Sequence, residues 1–194
     1  MLYLSKKLNE KGLTLVELLA VIVLTAITSI LLFSVMTKAL ENTKIISQET
    51  QLRDEADIII SKFIKTLYST RQDHIIRNIT DENGSYLEVT NDLSQCGRDE
   101  FGNLINERGC SNTLQPIGFK KRDSKVIIHL LNEKYEVVNN GIEILPNSKI
   151  KGNPTITYIY EIELNLKVTH IRGNKEKSRK LTFKNEVQPI VNTK

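Results

Sequence analysis

From Leu13 to Met36 the chain is apolar at almost every position and carries one ionisable side chain, Glu17. A helix of these 24 residues, rising roughly 1.5 Å per residue, would span about 36 Å, enough to cross a hydrocarbon layer of about 30 Å. Beyond Met36 the apolar positions thin to a stripe, Ile45, Leu52, Ala56, Ile59, Phe63 and Leu67, whose steps of seven, four, three, four and four are helical. Arg53, Asp54, Asp57, Lys62 and Lys65 fall off the stripe. Between Gly12 and Gly84 there is neither glycine nor proline, so nothing breaks a helix from about Leu13 to about Tyr68. Its first half is expected in a membrane and its second half beneath a sheet.

After Tyr86 the period changes to two. Tyr86–Thr90, Val126–Leu131 and Tyr135–Val138 read as short strands, and Ile156–His170 as a long one. In the long strand Ile156, Tyr158, Tyr160, Ile162, Leu164, Leu166 and Val168 share one face, and mostly polar residues the other. One apolar and one polar face mark an antiparallel sheet packed on one side only. The stretch Arg172-Gly173-Asn174-Lys175 supplies a turn, after which Leu181-Thr182-Phe183 returns beside the long strand. Asn91–Gly118, rich in Gly, Asn and charge, reads as a loop. The expected class is α+β: a long N-terminal helix packed on an antiparallel β-sheet.

Charge and cysteines place this architecture. Lys6, Lys7 and Lys11 precede the apolar run, opposed by Glu10, whereas Lys38 and Lys44 follow it with Glu41 between them. The denser positive flank predicts that the N-terminus stays in the cytoplasm and the rest is exported. Cys96 and Cys110 would both lie outside, where a disulfide persists, and such a bridge would close a loop of about 15 residues. A secretory signal has a shorter apolar core, about 7–15 residues. A plain signal-anchor fits the length but leaves a carboxylate in the membrane without a reason, and an unpaired charge there costs several kcal/mol.

The residues Lys11-Gly12-Leu13-Thr14-Leu15-Val16-Glu17-Leu18-Leu19 closely resemble the processing motif of type IV prepilins and pseudopilins. The resemblance covers roughly the first 35 residues. It implies that a prepilin peptidase removes residues 1–12 by cutting after Gly12, and that the new amine of Leu13 is then methylated. Glu17 becomes the fifth residue of the mature chain, where the family pairs it with the amine of a neighbouring subunit. Such a pair is strong in low dielectric and costly to leave half-made, so it sets the register of stacked helices. Residues 13–36 would be the transmembrane and assembly helix, and 37–194 the exported pilin-like domain. The implied partners are the peptidase, membrane lipid before assembly, and other subunits in a helical pilus or pseudopilus at the cell surface. Such fibres serve adhesion, motility, DNA uptake or protein secretion.

Two departures point to a minor rather than a major subunit. Leu13 stands where the family usually has phenylalanine, and Ser34 where major pilins often have a helix-kinking proline. A mid-chain cysteine pair, rather than one near the C-terminus, points the same way. The alternative is a single-pass anchored binding module that never polymerises.

The overall balance, 27 Lys and Arg against 23 Asp and Glu, is too mild to imply a nucleic-acid partner. It is locally uneven, however. Lys120, Lys121, Arg122 and Lys125 form one basic cluster. Arg172, Lys175, Lys177, Arg179, Lys180 and Lys184 form a second, at the expected hairpin tip. The second cluster is a candidate DNA contact, although Phe183 is the one aromatic neighbour for stacking and edge lysines also serve solubility. His74, His129 and His170 lie far apart, no phosphate loop or nucleophile elbow occurs, and no enzyme activity, metal or cofactor is expected.

Overall fold

The computed structural model describes residues 14–94, 96, 109–110, 112–139, 141–154, 156, 158–172 and 175–190. One helix, α1 (Leu15–Ser69), opens the chain. A short 3-10 turn, Gln72–His74, leads into β1 (Ile75–Asp81), β2 (Gly84–Thr90), β3 (Leu114–Arg122), β4 (Lys125–Leu130) and β5 (Glu133–Tyr135). Then come β6 (Ile142–Ile144), β7 (Lys149–Lys151), β8 (Tyr160–Arg172) and β9 (Lys175–Val187). The chain divides into two compact units, Met1–Ile46 and Ser47–Lys194.

In the first unit the described residues are a single exposed helix. Leu15, Ile30, Leu32 and Phe33 all stand open, and the helix is long and apolar enough to cross a membrane. Hydroxyl groups along it are satisfied internally. Thr25 donates to the Ile22 carbonyl at 2.9 Å, Thr28 to Leu24 at 3.0 Å, Ser29 to Thr25 at 2.7 Å and Thr37 to Phe33 at 2.8 Å. A hydroxyl with no partner is expensive in hydrocarbon, and the residues three and four back supply one without any neighbouring chain.

In the second unit the helical stripe becomes core. Leu52, Ala56, Ile59, Phe63 and Leu67 are fully buried, on the face that the four-and-three spacing predicts, whereas Ile45, the first residue of the expected stripe, is exposed. The buried residues meet two antiparallel sheets where the period-two pattern suggests one. The first sheet has the order β1-β2-β3-β4-β5. Its register aligns Leu87 with Ile117 and Ile117 with Leu130, and sets Phe119 beside Ile128, so all five point at the helix. The rings of Phe63 and Phe119 sit 5.2 Å apart. In the second sheet β8 pairs with β6 and β7 on one side and with β9 on the other. Tyr160, Ile162, Leu164, Leu166 and Val168 face the core, as the alternation requires.

Side chains join the sheets. The Ser85 hydroxyl accepts the Ile150 N–H and donates to the Ile150 carbonyl, both at 3.0 Å, so it stands in for a neighbouring strand at the outer edge of β7. Asn78 Nδ2 donates to the carbonyls of Ile150 and Gly152 at 3.2 and 3.0 Å. Gly118 permits β2 and β3 to close. At φ +150° its position would put a Cβ 2.5 Å from the Ser85 carbonyl oxygen and 2.7 Å from the Tyr86 Cβ.

Several boundaries differ from expectation. The long strand begins at Tyr160, not Ile156: the Ile156 N–H closes a turn on the Asn153 carbonyl at 3.2 Å, and Ile156 and Tyr158 are exposed. Residues 136–138 leave the sheet after Tyr135, so β5 is shorter than the stretch to Val138. The expected loop 91–118 ends early: Leu114–Gly118 already belongs to β3. The strands β1, β6 and β7 have too little alternation to stand out alone. The expected disulfide is present, Cys96 to Cys110 with Cα atoms 4.7 Å apart, buried with Ile76 and Leu114 in a small second core.

Near the other end of the first sheet, Tyr135 docks on the helix. Its hydroxyl donates to the buried Glu55 carboxylate at 2.7 Å, and the Lys62 ammonium lies 5.0 Å over its ring. Burial first, then the bond to Glu55, pushes the phenol up to about 12.

Three outcomes follow. Phe63→Ala should cost about 3–5 kcal/mol in a urea denaturation, since the site is closed on all sides. Replacing both Cys96 and Cys110 by serine should cost about 3 kcal/mol by the same measurement, from the loop that the bridge closes. The native state holds the Tyr135 phenol neutral, so its contribution is complete below about pH 10 and lost as pH rises through about 12. Denaturation midpoints should therefore fall more steeply over that window in the wild type than in Tyr135→Phe.

Candidate functional site

The start of α1 is built from four residues, Thr14-Leu15-Val16-Glu17. Thr14 lies just outside the helix, and its carbonyl accepts the first helical bond from the Leu18 N–H at 3.2 Å. Its hydroxyl accepts the Glu17 N–H at 3.3 Å, while Glu17 Oε2 accepts the Thr14 N–H at 2.9 Å and the Thr14 hydroxyl at 3.0 Å. This is a reciprocal capping box, with threonine at the cap and glutamate three residues in. It settles two otherwise orphaned backbone donors and places an anion at the positive end of the helix dipole.

Both bonds fall on Oε2, and Oε1 takes none among the described residues. The carboxylate is thus held in one position with an oxygen to spare. Glu17 is also the one ionisable group between Leu15 and Met36. The cap was legible in the sequence as Thr-x-x-Glu ahead of an apolar run, a signal that the charge-in-membrane reading of Glu17 passes over. Gly12 and Leu13, the expected cleavage and methylation positions, lie outside the described residues.

The basic hairpin does not present its charges on one face. Alternation along β9 sends Arg179 to the side facing α1, where its guanidinium pairs with Glu49, and Lys180 and Lys184 to the other side. Lys177 shares the parity of Arg179 and is exposed. The side chains of Arg172 and Lys175 lie outside the described residues. Lys184 approaches Glu161 at 3.8 Å, in a cross-strand network with Lys151, Lys149 and Glu163. The outer face of the second sheet is therefore a lattice of opposite charges more than a cationic surface.

His74 Nδ1 lies 2.8 Å from the Thr90 carbonyl, and His129 is on β4, where burial and then Lys120 and Lys134 lower its pKa. Among the described residues no group of three His, Cys, Asp or Glu side chains is placed to hold a metal. Comparison with known proteins finds no matching family model, no similar curated protein and no similar solved structure.

Proposed function

We propose that the chain is a prepilin-type subunit, a minor pilin or pseudopilin. It is cleaved after Gly12 by a prepilin peptidase, methylated on Leu13, and built into a type IV pilus or pseudopilus. The observation that carries this reading is the juxtaposition at the start of α1. A lone carboxylate, Glu17, is fixed by Thr14 at the head of an exposed apolar helix, directly after a Lys-Gly-Leu sequence. Cleavage after Gly12 would create a cationic amine within reach of that region. In hydrocarbon, a carboxylate with a spare oxygen is stabilised by a second donor, and the amine of a neighbouring subunit supplies one with a compensating charge. The apolar helix then passes from lipid to a fibre core without exposing its surface to water, and the sheet domain faces outward.

An anchor that never polymerises would share the helix and its Thr14–Glu17 cap but has no use for the second carboxylate oxygen, which is why assembly is the preferred reading. DNA contact is the weaker functional branch, because Arg179 is engaged with Glu49 and Lys184 lies near Glu161. Adhesion, motility, DNA uptake and secretion remain the branches open to a fibre of this kind.

Intact mass of the full chain, co-expressed with and without a prepilin peptidase, tests the first step. The expected product lacks Met1–Gly12 and retains 182 of the 194 residues, with the mass of one methyl group added. An unchanged mass would leave the anchored module as the reading. For the second step, Glu17→Ala should still insert in the membrane and still be cut, yet fail to enter fibres, as followed by shearing and immunoblot.

A further inference from the structure

The second sheet guards its two edges unequally. At β7 the outward main chain of Ile150 is closed by the Ser85 hydroxyl, and Asn78 adds a further bond. At β9 no such closure occurs among the described residues, although this is one of the two longest strands in the fold, pairing with β8 from Tyr160↔Val187 to Arg172↔Lys175 without a register shift.

The direction of the ladder identifies the open groups. The Asn165 carbonyl accepts from Leu145 at 2.8 Å, and the Thr169 N–H donates to Gly141 at 2.9 Å. Odd-numbered residues of β8 thus turn their main chain toward β6 and β7, and even-numbered ones toward β9. Their partners on β9 are Arg179, Leu181, Phe183 and Asn185. It follows that Ser178, Lys180, Thr182, Lys184 and Glu186 send N–H and C=O to the free side, and all five residues are exposed. A long, straight edge of this kind is a template for another strand.

Its side chains state what that strand should be. Lys180 forms no ion pair among the described residues and stands directly opposite Lys167 on β8, a like-charge contact that an added carboxylate would relieve. Lys184 lies two positions along the same face, with Glu161 at 3.8 Å. On the core side Leu181 and Phe183 are half-buried, packed against the main core and left with an uncovered flank. These lysines oppose pairing of β9 with a second β9. We propose that the β9 edge is a docking site for an extended segment of another polypeptide, in which acidic residues opposite Lys180 and Lys184 alternate with apolar residues opposite Leu181 and Phe183. The chain already contains part of such a complement on the inner side of β9, where Glu163 lies opposite Lys184, Leu164 opposite Phe183 and Leu166 opposite Leu181.

The test uses the full chain in detergent micelles and a capped peptide, Thr-Val-Glu-Val-Thr-Val-Glu-Val-Thr, which matches 178–186 in either direction. Binding should slow amide hydrogen exchange at Ser178, Lys180, Thr182, Lys184 and Glu186, and leave the alternate amides, already bonded to β8, unchanged. The same peptide with lysine for both glutamates should bind at least about tenfold more weakly. Thr182→Pro removes one outward N–H, together with the Thr182 hydroxyl bond to Asn165, while leaving the main-chain ladder to β8 in place, and should abolish binding. Should that variant fail to fold, the pair Lys180→Glu and Lys184→Glu should reverse the preference toward the lysine peptide. No alternating protection with the glutamate peptide, or equal binding of both peptides, would overturn the proposal.

Discussion

Everything in the folded domain depends on one contact surface, the apolar stripe of α1 from Leu52 to Leu67. Neither sheet closes a core without it. Leu87, Ile117, Phe119 and Ile128 of the first sheet, and Ile162, Leu164 and Leu166 of the second, meet around the same helical residues. A sheet with one apolar face cannot remain exposed to water, and here both sheets bury theirs in one core shared with the helix. Phe63 is part of that core. Its ring reaches Phe119, while Ile59 and Leu67 extend the contact one turn to either side.

The links between elements use side chains where strands run out. Ser85 and Asn78 finish the edge of β7, Ser148 accepts the Asn165 N–H at 2.9 Å, and Tyr135 reaches the buried Glu55. Buried main-chain groups require partners, and short strands such as β6 and β7 cannot provide them for each other. Hydroxyl and amide side chains therefore act as surrogate strands. The same economy operates in the apolar half of α1, where each threonine and serine hydroxyl named above bonds back to its own helix.

Function follows from the contrast between the two halves of one helix. From Leu52 onward the helix buries a stripe and exposes charges, which ties it to its own domain. From Leu15 to Met36 it exposes apolar surface all round, which suits lipid or other helices. Glu17, oriented by Thr14, is the polar landmark of that first half. Under the proposed function, a lone oriented charge in an apolar environment selects partners by register, as an assembling helix requires.

The sequence by itself determined the helix, its membrane-compatible half and its buried stripe, because a 3.6-residue period is local and survives without tertiary information. It likewise determined the core face of β8 from Tyr160 onward, since alternation forces one face inward. The cysteine pair was legible too, for its short loop and its place after the apolar run. Only the tertiary structure decided that there are two sheets, because β6 and β7 span three residues each and owe their existence to pairing with β8. It also decided that Ile156 and Tyr158 lie outside the core, and that Arg179 turns from its basic neighbours to Glu49. Which side of a strand meets a helix depends on packing between residues 130 positions apart, Glu49 and Arg179. Periodicity along the chain carries no information about a contact of that range.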